Sequence, residues 1–488
     1  MTRITIELCN VYKNFNRGFS KKPILENIDL TIHQGEFVIL KGENGAGKST
    51  LLNLILGIVK PSSGTVSLMG LSPQLPESKI RMGAVLQEAN FPGNLKVREL
   101  VQLVKSYYPN SISVDSLLGK VELLEMQEAW ASNLSGGQKQ RLYFALALAG
   151  SPDLLILDEP TRNLDDKGYE EFWQQIRLCR EQGVTILMVT NNKSDWHLLE
   201  QLATRTITLH KLAESSKSCQ LVEGNLSENK QKIATQTVTT TLSQSHQSIS
   251  WYHLLLVFQQ QLWVEILQIW RTPIFLLYIL LIEFLPAIIS INKKQLISYY
   301  GIIFFTIAIE RIGSRVAIER TEKWLKFLRT TPLPPLLYIV VKIVTVLLLC
   351  TFVLPVILTI GIWKPGIELS FGAGLEIFIS MILGAIPFAL IGLGLSYLIS
   401  PKSYNSIAAG VILIGLITYT DTYLSQLPQF IQSIGVFSPF YHYGQLALWA
   451  SGSVGDPHLW LHLLWLLWAG VTFWFITIWA YQRDSVVQ

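Results

Sequence analysis

Beyond residue 272 the chain repeatedly runs apolar for long enough to cross a bilayer, and nothing else in the sequence restricts its folding as much. A helix needs about 20 apolar residues to span the hydrocarbon core. The candidate spans are Pro273–Ile291, Gln295–Ile312, Leu336–Trp363, Phe371–Ile399, a short Ser406–Thr420, and Leu459–Ala480. Leu427–Leu448 is also apolar but is broken by Pro428 and Pro439, and it reads as a re-entrant or interfacial segment. Such backbone is tolerated at membrane depth only where protein or a cavity covers it. Composition agrees: residues 251–488 hold 23 of the 74 charged residues but 11 of the 14 tryptophans. Six spans put both termini on one side. Nine Lys and Arg flank that side, from Arg271 and Arg311 to Lys402 and Arg483, against Lys293, Lys294 and Lys364 on the other. That bias predicts cytosolic termini. Lys342, just inside the third span, is expected to snorkel.

The first 250 residues have the character of a water-soluble domain. No apolar leader opens the chain; TRITIEL alternates like a strand. From Ile4 to about Leu212 short apolar runs such as EFVILK, LLIL and the stretch Val184–Val189 alternate with helical patterns. This is the rhythm of a parallel sheet covered by helices. Residues 213–250 are rich in Ser, Thr, Gln, Asn and Lys and predict a flexible linker with too little apolar area to pack. The net charge of +4 is too small for a nucleic-acid binder. The four cysteines and eight histidines form no metal-binding spacing.

Gly42-Glu43-Asn44-Gly45-Ala46-Gly47-Lys48-Ser49 matches GxxxxGK[ST], and Thr50 follows it. It comes directly after EFVILK and opens the helical STLLNLILG, the context a phosphate loop requires. Backbone N–H groups close around phosphates, Lys48 reaches the β- and γ-phosphates, and the Ser49 hydroxyl ligates Mg²⁺. The apolar strand LLILDE ends in two carboxylates. Asp158 is expected in the Mg²⁺ shell and Glu159 as the general base that polarises water. Ser135-Gly136-Gly137-Gln138 stands at a helix start, a further anion site.

In this order the motifs resemble the nucleotide-binding domain of ATP-binding cassette transporters, over residues 1–212. The resemblance implies ATP and Mg²⁺ as cofactors. It implies Phe15, or else Tyr12, as the adenine-stacking aromatic, Gln87 as the glutamine that touches Mg²⁺ and water, and LSGGQ as the signature. Asn163-Leu164-Asp165 resembles the D-loop. Two such domains sandwich two ATP molecules, so a second half-transporter is implied, in a homodimer or a heterodimer. Where the family carries a switch histidine this chain has Asn191, which predicts slower hydrolysis.

The fold class expected is therefore an α/β P-loop ATPase followed by an all-α six-span domain over 251–488. Its charged stretch 310–335 suits an amphipathic helix at the inner surface. That stretch resembles the cytosolic loop of type-2 exporters, which move drugs, lipids and lipid-linked glycans, and it implies coupling near Gln87. A lipidic or amphipathic cargo fits the apolar, aromatic spans. Glu283, midway along the first span, has two readings: a cargo-facing carboxylate, or a neutral acid hydrogen-bonded between helices. The rival to an exporter is an ATP-gated membrane regulator.

Overall fold

Three stretches of the first half are apolar on both faces, which suits strands covered on both sides. The computed structural model describes residues 3–17, 20–87, 90–211, 219–224, 250–272, 293–351, 370–419, 424–452 and 458–484. In it those stretches are β3 (Phe37–Gly42), β6 (Leu154–Asp158) and β7 (Thr185–Val189), each buried along almost its whole length. They lie side by side and parallel with β5 (Met82–Val85) and β8 (Arg205–Lys211). Around them are β1 (Ile4–Arg17), β2 (Ser20–His33), β4 (Ser63–Leu68) and β9 (Cys219–Gly224). Among the described residues the nine strands run in the order β4-β1-β2-β9-β8-β3-β7-β6-β5, with β1 antiparallel to both β2 and β4. The helices of this half are α1 (Lys48–Ile55), α2 (Val97–Ser106), α3 (Val114–Lys120), α4 (Gly136–Ala147), α5 (Asp166–Glu181) and α6 (Trp196–Leu202).

The chain separates into two compact units: Met1–Gln260 with Glu322–Pro335, and Gln261–Thr321 with Leu336–Val487. Two expected boundaries are corrected. Residues 219–224, expected as linker, form β9, which pairs antiparallel with β8 and touches β2 at Leu25. A strand needs ladder partners more than apolar side chains, so composition hid it. Residues 225–249 lie outside the described residues. The second correction is that 322–335 belongs with the first unit.

The second half is helical: α7 (Trp251–Trp270), α8 (Lys293–Thr321), α9 (Trp324–Leu328), α10 (Pro335–Thr351), α11 (Phe371–Leu398), α12 (Tyr404–Thr418), α13 (Gln429–Gly435), α14 (Pro439–Ala450) and α15 (Leu459–Arg483). Among the described residues two helices, α11 and α15, are long and apolar enough to cross a membrane, and α10 is a shorter apolar one. The expected first span and Glu283 lie outside the described residues, as does the third span beyond residue 351. Pro428 and Pro439 do break the segment between α12 and α15, at the starts of α13 and α14. Proline is favoured there because the first helical N–H has no partner to lose.

The amphipathic helix expected over 310–335 is corrected too. Residues 310–321 continue α8 without interruption, and the chain turns at Lys323, whose φ is 57°. Several of the charges on that stretch are buried among helices. Lys342 does not snorkel; its ammonium contacts Glu265 at 2.7 Å and Glu319 at 2.6 Å. The second Glu319 oxygen accepts the Tyr338 hydroxyl, and Arg315 donates to Gln268. Arg320 is 2% exposed; it pairs with Asp484 and donates to the carbonyls of Ser396, Tyr397 and Ile399 at the end of α11. Orphan carbonyls at a helix end are good partners for a cation. The core of this unit is an aromatic cluster of Phe305, Phe388, Phe440, Tyr419 and Tyr443. Helices approach closely at Gly301 and Gly313, where an added Cβ would lie 1.5 Å from the Tyr419 hydroxyl and 1.8 Å from the Tyr404 hydroxyl.

Candidate nucleotide site and docking socket

The loop between β3 and α1 turns on three glycines. Gly42, Gly45 and Gly47 take φ of 155°, 78° and 90°, and at Gly47 a Cβ would meet Leu25 at 2.9 Å. Only glycine holds that left-handed backbone cheaply. Lys48, at the start of α1, folds its ammonium back over the loop and donates to the carbonyls of Gly42 (2.5 Å) and Glu43 (3.1 Å). Burial lowers its pKa, while Glu159 and Asp158 pull it back up. The loop carbonyls hold the ammonium, and the charges of both carboxylates act on it. Asn44 and Ser49 are exposed, and Thr50 is half-buried in the first turn of α1.

The two carboxylates are set by register. Asp158 ends β6 opposite Val189 of β7. Burial pushes its carboxyl up to about 6, helped by the charge of Glu159 and opposed by Lys326 and Lys48. Glu159 then takes φ 50°, with its N–H bonded to the Val189 carbonyl at 2.8 Å. A left-handed non-glycine residue costs roughly 1–2 kcal/mol, and such strain clusters at functional sites. Its Oε1 accepts the Asn191 N–H at 3.0 Å. Burial raises the Glu159 pKa, and that hydrogen bond opposes the rise. Asn191 thus meets Glu159 through its backbone, and its side chain is exposed.

Sequence reasoning missed what holds Asn191 there. Asp195 is fully buried and accepts the hydroxyls of Thr161 (2.8 Å) and Thr190 (2.7 Å). Asn192 adds its amide to both Asp195 and Thr161. The network ties the segment after Glu159 to the segment containing Asn191. No contiguous motif marks it.

The signature residues form a second cluster. Ser135 caps α4 by accepting the Gln138 N–H at 3.2 Å, and Gln138 accepts the Ser135 N–H at 2.9 Å. This reciprocal pairing is a capping box. A Cβ at Gly137 would lie 3.1 Å from the Asn163 carbonyl, and one at Gly136 3.4 Å from Asn163 Cβ. Asp165 caps α5 through the Gly168 N–H at 3.1 Å. Among the described residues no hydrogen bond links Ser135–Gln138 to Gly42–Thr50. On β1, Phe15 is half-buried with the Lys13 ammonium 4.9 Å from its ring centroid, and Tyr12 is 36% exposed.

Gln87 is exposed just beyond β5, and close to it lies a feature absent from the expected phosphate-binding set. The Asn90 N–H donates to the Glu322 carbonyl at 2.7 Å, and Lys79 donates to the Arg329 carbonyl. Between these two bonds sits α9. Trp324 and Phe327 stack on each other at 5.0 Å and pack against Phe91 and Tyr143, themselves stacked at 4.1 Å. Trp324, Leu325, Phe327 and Leu328 are each at most 3% exposed. Burying such side chains contributes roughly 1.5–3 kcal/mol each. Burial and the charge of Arg329 bring the Lys79 pKa down to about 8.

The sequence model of the ABC transporter family matches residues 25–162, and that of the ABC-2 family transporter protein matches residues 221–479. Among curated relatives, the Nod factor export ATP-binding protein I of Burkholderia lata is 32% identical over 230 residues, covering 43% of this chain and 75% of that protein. Its namesake from Cupriavidus metallidurans is 33% identical over 226 residues, with the same coverage. A solved dimeric ATP-binding cassette in a post-hydrolysis state, bound to ADP and phosphate, is 30% identical with a TM-score of 0.41; it covers 46% of this chain and 99% of its own. The chain belongs to the ABC transporter family, with a nucleotide-binding ATPase and an ABC-2 membrane domain on one polypeptide. It is a membrane protein that couples ATP hydrolysis to transport.

Proposed function

We propose that the chain is half of an exporter that works as a dimer, and that two copies of it suffice. The observation that carries this is α9 seated in its socket. A segment from between two helices of the membrane half packs as part of the ATPase unit, bonded to Asn90, three residues beyond Gln87 in the chain, and against Tyr143 of the signature helix. A nucleotide-driven shift of either element then moves α9 and the helices joined to it, opening the membrane cavity alternately to each side.

In this reading Lys48 and the loop Gly42–Thr50 hold the phosphates, Phe15 or Tyr12 stacks on adenine, and Ser49, Asp158 and Gln87 surround Mg²⁺. Glu159 takes the proton of the attacking water. Ser135–Gln138 and Asp165 complete the partner's site, which accounts for their separation from Gly42–Thr50 within one chain. The cargo is lipidic or amphipathic, the helical half crosses the membrane six times, and the ATPase lies in the cytosol. A homodimer is preferred to a heterodimer because Lys48, Glu159 and Ser135 are all present. The test is ATP-driven uptake of amphiphiles into inverted vesicles holding the purified chain. ATP binding without turnover or uptake would sink the reading and favour the regulator.

Two variants probe the coupling and the rate. Trp324→Ala empties the centre of the socket, and deleting a buried tryptophan costs about 3–5 kcal/mol locally. Basal ATP turnover should stay within a few-fold while cargo stimulation and uptake fall at least about tenfold. Equal loss of both would assign Trp324 to folding alone. Asn191→His should raise kcat with little change in nucleotide affinity, because imidazole reaches further than the carboxamide and can carry charge. A full transition-state donor is worth about 10²–10³ in rate, so a partial replacement should give a gain of roughly tenfold. Steady-state ATPase in lipid decides it; no gain would mean that the Asn191 backbone N–H already does the work.

A further inference from the structure

His442 of α14 and His462 of α15 meet inside the second unit. Their Nδ1 atoms lie 2.7 Å apart, and the two residues are 3% and 6% exposed. Of two facing ring nitrogens, one must carry hydrogen and the other a lone pair. The second nitrogen of His442 decides which. Its Nε2 is buried and has no hydrogen-bond partner. A buried N–H without an acceptor is avoided more strictly than a bare lone pair. His442 therefore keeps its hydrogen on Nδ1 and donates to His462, which keeps its own on Nε2. The pair is left with one unengaged basic lone pair, on His442 Nε2. The surroundings are aromatic. Trp465 stacks on the His442 ring with centroids 5.1 Å apart and planes at 11°, and the Tyr441 ring lies 5.6 Å away. The elements packed on α14 are α8, α11, α12 and α15. Phe305 of α8 and Phe388 of α11 pack on it, beside Tyr419 at the end of α12. The Tyr443 hydroxyl donates to the Met381 carbonyl of α11. From α15 comes His462, with His458 one turn before it. Among the described residues, His462 is the one titratable group whose charge acts on His442.

We propose that His442 Nε2 is a proton-binding site, and that the pair is an acid-opened clasp between α14 and α15. A proton from water bonds to the free lone pair, and His442 becomes an imidazolium. Its Nδ1–H still donates to His462, but the new Nε2–H meets no acceptor among the described residues. A buried cation with an unanswered N–H is costly. The Trp465 face attracts the cation and offsets part of that cost. Parting the His442 face of α14 from α15 lets water take the new hydrogen bond. Phe440 and Tyr443 keep the rest of α14 in the aromatic cluster. The closed contact therefore belongs to the neutral pair. It is present above the ordinary histidine value of about 6.5 and is lost as the pH falls below it. The proton site does not depend on the exporter reading. The side whose acidity it senses does: on the six-span topology proposed above, the segment between the fifth and sixth spans lies outside the cytosol.

The test is nitrogen NMR of the full chain, isotopically labelled at histidine and held in lipid nanodiscs, with the His442 signals assigned by their loss in H442N. At about pH 8, where an ordinary histidine is neutral, His442 should show a bare Nε2 and a protonated Nδ1, and acid should protonate Nε2. Hydrogen exchange over Pro439–Ala450, corrected for the intrinsic rate, should lose protection about tenfold per pH unit below about 6.5, the dependence that one coupled proton imposes. The H442N amide can still donate to His462 but takes no proton, so its protection should stay level through the same range. Hydrogen on His442 Nε2 at about pH 8 overturns the site. Protection that does not fall with acid, or that falls equally in H442N, overturns the clasp. If H442N does not fold, H462N replaces it. Its amide oxygen still accepts the His442 Nδ1–H, so the acid-induced loss of protection should persist; its absence would put the titrating group on His462 and overturn the proposal. None of these readouts uses ATP or cargo, so the result stands apart from that of the uptake assay.

Discussion

Lys48→Ala should abolish ATP turnover, with kcat/KM down by at least about 10³. The ammonium is the principal cation of the phosphate loop, and it sits where Asp158 and Glu159 both act on it. Charge-assisted bonds to a transferring phosphoryl group typically account for about 10²–10³ each, and Lys48 serves both ground-state binding and the transition state. Its removal also leaves the Gly42 and Glu43 carbonyls without their donor, so the loop loses its closed shape. Nucleotide-induced stabilisation should disappear with activity. A ligand at 100 times its Kd stabilises by about 2.7 kcal/mol, and a Kd raised a hundredfold or more removes nearly all of that. Thermal unfolding with and without ATP, beside an ATPase assay, measures both. Parental turnover in Lys48→Ala would end the assignment of Gly42–Ser49 as the phosphate loop.

Glu159→Gln should stall hydrolysis while leaving ATP binding intact. A general base contributes about 10²–10⁴, and an amide cannot take the proton from water. The replacement is nearly isosteric. Its carbonyl oxygen can still accept the Asn191 N–H, and the Val189 contact uses only backbone. The strained φ is therefore held by the same bonds, and the fold should not change. The two variants separate the two roles: Lys48→Ala weakens nucleotide affinity and rate together, whereas Glu159→Gln traps bound ATP and prolongs any dimer it closes. Size-exclusion chromatography with ATP, alongside single-turnover hydrolysis, tells them apart. Glu159→Gln turning over at the parental rate would show that another group activates the water.

Much of the first site was legible because its parts are contiguous. Backbone chemistry dictates GENGAGKS: left-handed glycines and a lysine must follow one another in the chain. The same holds for the Ser135–Gln138 capping box and for LLILDE, where an apolar strand delivers carboxylates to its end. Residues gathered from distant segments were not legible. Thr161, Thr190 and Asp195 are ordinary polar residues until the β6–β7 register brings them together. Glu265, Glu319 and Lys342 come from three helices, and as a sequence they read as flanking charge. Helix α7 was missed because Gln259, Gln260, Gln261 and Glu265 dilute its hydropathy; Gln261 and Glu265 lie on its buried face. The apolar run of the second span ends at Ile312, but α8 runs nine residues further, where its charges find partners inside the protein. Burial that depends on pairing leaves no hydropathy signal.

The Arg320–Asp484 pair has a consequence for biosynthesis. The two residues are 164 positions apart in the chain. At about 5–20 residues per second of synthesis, on the order of ten to thirty seconds pass between the appearance of Arg320 and that of its carboxylate. During that interval the ATPase sheet is complete and the segment carrying Trp324 has been made, yet the guanidinium that joins α8 to the end of α11 has no counter-charge. A nascent chain arrested before residue 484 has the whole sequence of the ATPase unit but lacks the carboxylate that answers Arg320 in the helical unit.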